Sequence, residues 1–175
     1  MGLADLLSLV RVPLGALFVL ALQQPARPVV GIAILVAAGV SDVLDGWAAR
    51  RDPRNVGPHR GDWLDPLCDK VFVGAVMGGL FLGGRAAAAP LLLTITRELL
   101  QAVAMIVYKT VPALRRRRYN YRAHRLGKAT TLVQFFTAAA LTWETPLAWP
   151  LAGLSAAMGV AAVVLYLRRV STTAA

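Results

Sequence analysis

Residues 41–71 read SDVLDGWAARRDPRNVGPHRGDWLDPLCDKV, a charged stretch set between two long apolar runs. Asp42 and Asp45 stand three apart, and Asp65 and Asp69 stand four apart. On a helix either spacing puts both carboxylates on one face. A carboxylate at the centre of a bilayer-spanning helix costs roughly 2.5–3.5 kcal/mol on insertion scales, so four cost on the order of 10 kcal/mol, less where they sit shallow and wet. A single pair reads as interfacial aspartates reaching water or a nearby arginine. Two pairs on neighbouring helices call for a cation. Mg²⁺ or Mn²⁺ suits oxygen donors and keeps positions open for water and substrate phosphate, and four carboxylates suffice for two ions.

The surroundings make these neighbouring helices of a membrane protein. The chain has 175 residues, 57% of them hydrophobic, and a mean hydropathy of +0.59. A soluble domain of that length carries more polar surface, so the expected fold is all-α, a polytopic membrane bundle of about six transmembrane helices. A span takes roughly 20 helical residues. Candidate spans fall near 4–22, 28–49, 62–84, 87–110, 125–143 and 147–167, with Pro and Gly at or near their ends. One domain over 1–175 is expected, with no repeat, long linker or low-complexity tail. The N-terminus is not expected to be a cleaved signal: Asp5 is there, no basic residue precedes the first apolar run, and further spans follow.

The net charge of +10 is distributed unevenly. With the N-terminus inside, one side of the membrane carries Arg50, Arg51, Arg54, Arg60, Lys109, Arg115 to Arg118, Arg122, Arg125, Lys128, Arg168 and Arg169, against Arg27 and Arg85 on the other. Such asymmetry places the basic side and both termini in the cytoplasm. Attraction to anionic membrane lipid is the second consequence. No basic strand interleaved with aromatics supports nucleic acid binding. Arg11, Lys70 and Arg97 fall within spans. Cys68 is the sole cysteine, which excludes an intrachain disulfide and a cysteine-cluster metal site; it is expected to fill a small space between helices. His59 and His124 lie far apart in basic loops and read as solvated.

Small residues accompany the carboxylates. Gly46 and Ala49 follow Asp42 by four and seven positions, and Gly61 precedes Asp65 by four. A missing side chain there lets a ligand approach the backbone; close packing of helices is the structural alternative.

Asp42-x2-Asp45-Gly46-x2-Ala49-Arg50, followed by Gly61-x3-Asp65-x3-Asp69, resembles the signature of the CDP-alcohol phosphatidyltransferases. The motif covers 28 residues, and the six-span pattern extends the resemblance over most of the chain. Arg51 to Arg60 make the Arg–Gly interval two residues longer than is usual in the family, in a Pro-containing loop where insertion is tolerated. The resemblance implies transfer of a phosphatidyl group from CDP-diacylglycerol to an alcohol, with release of CMP, at two divalent ions. It makes Asp42, Asp45, Asp65 and Asp69 the metal ligands and Asp69 also the catalytic base. Asp42, Gly46, Ala49, Arg50 and Gly61 would line the CDP site. It further implies a homodimer in the bacterial inner membrane, with the active site facing the cytoplasm.

Two later segments bear on the acceptor. Arg97-Glu98 places two ionisable residues inside the fourth span, a functional hint or a mutual or interhelical ion pair. Gly127-Lys128-x2-Thr131-x2-Gln134 opens the fifth. Both resemble the phosphatidylglycerophosphate synthase branch, whose acceptor is sn-glycerol 3-phosphate. An acceptor with its own phosphate wants cations, and Arg97, Arg125 and Lys128 are the candidates. Inositol phosphate, serine and phosphatidylglycerol are the other acceptors within the family. An intramembrane prenyltransferase also uses Asp-rich Mg²⁺ sites, but lacks the Asp-Gly-x2-Ala-Arg continuation. A cation transporter would give Gly46, Ala49 and Gly61 no evident purpose.

Overall fold

The computed structural model describes residues 3–24, 28–51, 64–110 and 125–172; within them, side chains are described at 6, 8–24, 28–44, 67–107, 110 and 126–165. Seven helices and no strand occur among the described residues. They are α1 (Leu3–Leu22), α2 (Pro28–Arg51), α3 (Leu64–Leu82), α4 (Ala88–Thr94), α5 (Thr96–Thr110), α6 (Arg125–Thr142) and α7 (Ala148–Thr172). The protein is all-α. Ala148–Leu165 is long and apolar enough to cross a bilayer alone, and α4 with α5 passes the same test as a pair bent by 61°. Shorter apolar stretches run over Ser8–Leu22 and Pro28–Leu44.

Contacts divide the chain into two compact units, Met1–Ala87 with Leu141–Glu144, and Ala88–Ala140 with Thr145–Ala175. In the first unit α1 packs against both α2 and α3. Its buried residues Ser8, Arg11, Gly15, Phe18 and Leu22 recur every three or four positions, which is one face of a helix. Facing them are Gly31, Leu35, Ala38 and Ser41 on α2 and Cys68, Phe72, Val76, Gly79 and Leu80 on α3. Cys68 is thus a buried filler, as its isolation in the sequence suggested.

Two glycines set the α1–α3 separation from opposite sides. A methyl group on Gly15 would lie 3.0 Å from the Ala75 Cβ, and one on Gly79 would lie 3.2 Å from the Val19 Cα. A missing side chain at each position is what lets the two backbones approach this closely. The C-terminus of α3 then turns out through Gly84 at φ +66°, while the amides of Arg85 and Ala86 satisfy the Leu80 carbonyl.

In the second unit the sequence predicts one continuous span over 87–110, and the structure breaks it at Ile95. No proline stands at the break. Instead the Thr94 carbonyl accepts from the Gln134 side chain at 2.8 Å and from the Ser155 hydroxyl at 3.1 Å. Side chains inserted into the helical carbonyl ladder are an established cause of sharp kinks. All three residues are buried, so in an apolar setting these bonds satisfy a carbonyl that water would otherwise have to meet. α7 packs on both halves of the broken helix. It comes close to α5 at Gly159, where an added Cβ would lie 2.9 Å from the Arg97 Cβ.

Candidate active site

Arg11 organises the described part of the aspartate cluster. It enters from α1, its side chain only 3% exposed, and its two terminal nitrogens address different helices. Nη2 lies 3.2 Å from the Asp42 Oδ1 on α2, and Nη1 donates to the Asp69 Oδ1 on α3. The two carboxylates remain about half exposed, at 56% and 48%. The first member of one pair and the last member of the other therefore converge on a single cation.

The remaining motif positions divide by what is described. Asp45, Gly46, Ala49 and Arg50 continue α2, and Asp65 lies one turn before Asp69 on α3, but their side chains lie outside the described residues. Gly61 lies outside them altogether, as do His59 and His124. Among the described residues no group of three or more His, Cys, Asp or Glu gathers around one point. The donor chemistry nonetheless fits a hard divalent ion: two carboxylates, on helices that each pack against α1, approach one positive charge, and the helical register puts a further aspartate one turn from each.

In the second unit Arg97 is the centre of a polar network. Its Nε and Nη2 donate to the Glu98 carboxylate at 3.0 and 2.6 Å, and Nη1 donates to the Gly127 carbonyl at 2.6 Å and the Thr131 hydroxyl at 3.0 Å. Glu98 also accepts from Gln134 at 2.7 Å. The ion pair considered for Arg97 and Glu98 is present, tied into α6. Gly127 and Thr131 bracket Lys128, whose side chain is exposed, so Arg97 is held to the turn of α6 that carries Lys128. The Arg125 side chain lies outside the described residues.

Arg11 is the residue for which sequence reasoning supplied no role. Its signal was available: an arginine inside an apolar run, on the face later found buried, is a functional candidate by default.

The signature, the helix pair that carries it and the convergence of Asp42 with Asp69 define a class. The profile of the CDP-alcohol phosphatidyltransferase family matches residues 1–168, and the chain belongs to that family. It is similar to a probable phosphatidylglycerophosphate synthase of Mycobacterium tuberculosis, 33% identical over 103 residues, covering 56% of this chain and 48% of that protein. It is also similar to a CDP-diacylglycerol–glycerol-3-phosphate 3-phosphatidyltransferase of Rickettsia bellii, 33% identical over 79 residues, 45% of this chain and 42% of that one. A probable cardiolipin synthase (CMP-forming) of Drosophila melanogaster is 40% identical over 47 residues, 27% of this chain and 14% of that protein. The chain spans about half the length, or less, of the relatives it matches.

Proposed function

We propose that the chain is a multi-pass membrane transferase that moves a phosphatidyl group from CDP-diacylglycerol to sn-glycerol 3-phosphate, giving phosphatidylglycerophosphate and CMP. The observation that carries this reading is the convergence of Asp42 and Asp69, from the two motif helices, on one point in a chain of this family. The names of the mycobacterial and rickettsial relatives support the acceptor. Outward-facing apolar side chains, Leu17, Leu20, Val36, Val40, Leu132 and Phe136, support a lipid-facing surface. The basic asymmetry supports about six spans in a bacterial inner membrane, with the aspartates and both termini on the cytoplasmic side. The family match runs across both units, in keeping with one catalytic domain.

In this scheme the acceptor's hydroxyl oxygen forms a bond to the phosphatidyl phosphorus. The bond from that phosphorus to the bridging oxygen breaks, and CMP leaves with that oxygen. Asp69 orients the hydroxyl and takes its proton. Two Mg²⁺ or Mn²⁺ ions held by Asp42, Asp45, Asp65 and Asp69 would neutralise the diphosphate and stabilise the departing CMP. Gly46, Ala49 and Gly61 leave room for the nucleotide, and Arg50 supplies it a cation. Lys128 and Arg125, on the turn that Arg97 braces, receive the acceptor's own phosphate.

The deciding experiment incubates detergent-purified protein with CDP-diacylglycerol, Mn²⁺ and a panel of alcohols, and identifies the lipid product. Phosphatidylglycerophosphate with stoichiometric CMP is expected. Product from serine or inositol phosphate, with none from glycerol 3-phosphate, would overturn the acceptor. No CMP release with any alcohol would overturn the reaction.

A further inference from the structure

The chemistry above leaves Arg11 without a task, yet Arg11 is the most deeply buried charged group in the described part of the first unit. Its fork spans α2 and α3, with Nη2 on Asp42 at 3.2 Å and Nη1 on Asp69. A guanidinium is permanently charged and presents its donors in a fixed plane, which suits bridging two carboxylates; an ammonium is a point charge that serves one. Gly15 and Gly79 bring α1 and α3 close enough for that reach to be short. Carboxylates gathered among apolar helices repel one another, and a buried charge left without its partner is strongly unfavourable. A cation built into α1 removes that repulsion before any ion arrives.

We infer that Arg11 is a positioning residue: the resident counter-cation that holds Asp42 and Asp69 together and keeps α1, α2 and α3 packed when no divalent ion is bound. This rests on the metal-assisted reading of the proposed function. Arg11 and a divalent ion stabilise the same carboxylates, so they are linked, and each weakens the need for the other. Arg11 therefore sets an upper limit on the affinity of the site for metal while freeing the fold from dependence on it.

The test follows thermal unfolding of the full chain in detergent, in chelator and in saturating Mn²⁺, with Mn²⁺ affinity measured by calorimetry. In Arg11→Leu the midpoint in chelator should fall, Mn²⁺ should recover most of the loss, and Mn²⁺ should bind about tenfold more tightly, within the usual range of site–site coupling. Arg11→Lys keeps the charge but reaches one carboxylate, so its Mn²⁺-induced shift should lie between those of the unaltered protein and Arg11→Leu. Should Arg11→Leu fail to fold in both media, Arg11→Lys decides by the same shift. Equal losses with and without Mn²⁺ would reduce Arg11 to packing and overturn the inference. A raised KM for CDP-diacylglycerol or glycerol 3-phosphate, with an unchanged Mn²⁺ shift, would make it a substrate contact and also overturn it. If the unaltered protein itself shows no Mn²⁺ response, the metal-assisted function fails and takes this inference with it, an outcome distinct from the previous two.

Discussion

The side-chain amide of Gln134 on α6 donates to the backbone carbonyl of Thr94 at 2.8 Å, at the residue where α4 gives way to α5. The same amide nitrogen reaches the Glu98 carboxylate at 2.7 Å, so one residue serves both sides of the break. Gln134→Leu leaves the Thr94 carbonyl to Ser155 alone and removes a neutral donor from Glu98. A loss of about 1–3 kcal/mol is expected, the worth of one neutral hydrogen bond together with one to a charged group. Thermal unfolding in detergent measures it, and an unchanged midpoint would mean that the kink does not depend on this bond.

Two glycines on α7 should respond in opposite directions to the same substitution. At Gly159 an added Cβ would sit 2.9 Å from the Arg97 Cβ and 3.1 Å from its backbone nitrogen, which cannot swing aside. Gly159→Ala should therefore destabilise by about 1–3 kcal/mol, the range for overpacking. At Gly153 nothing lies within 4 Å of the added atom. Gly153→Ala should stabilise the helix by roughly 0.5–1 kcal/mol. Equal effects in a paired melting experiment would contradict the close approach of α5 to α7.

Asp42→Asn and Asp69→Asn each replace an anion that faces Arg11 with a neutral amide. If these carboxylates hold the ions that carry the transition-state charge, kcat should drop on the order of 10²–10³-fold in each. The Asp42→Asn loss should be partly recovered by raising Mn²⁺, because it acts through affinity. The Asp69→Asn loss should persist at saturating metal, because the proposed scheme has Asp69 take the acceptor's proton. Identical metal dependence in the two variants would remove the separate role given to Asp69.

Lys128 is exposed on the turn of α6 that Arg97 grips through Gly127 and Thr131. Lys128→Ala should raise the KM for glycerol 3-phosphate roughly tenfold or more, the worth of one hydrogen bond to a charged group. The KM for CDP-diacylglycerol should stay within about twofold, since the proposed scheme gives that substrate's phosphates to the aspartate site. Equal rises for both substrates would place Lys128 outside the acceptor site.

Much of this protein can be read along the chain because the determinants are local. Five of the six apolar segments in the sequence correspond to α1, α2, α3, α6 and α7, with ends differing by a few residues, since Pro and Gly punctuation acts on neighbouring backbone. The spacing of Asp42 from Asp45, and of Asp65 from Asp69, puts each pair on one helical face wherever the helices go. The family signature is itself a local pattern, read directly from residues 42–69.

The rest was decided by residues remote in the chain. Arg11 finds Asp69 across 58 positions, and no periodicity within α1 says which carboxylate a buried arginine will meet. The span over 87–110 looks continuous because apolar residues dominate it and neither Pro nor Gly stands at the break. Its break at Ile95 depends on Gln134 and Ser155, 40 and 61 positions from Thr94, arriving to take up the Thr94 carbonyl. Hydropathy and helical period determined which segments are helical and which faces carry charge. Only packing, through glycines that let backbones touch and polar groups that must be satisfied away from water, decided which charges meet.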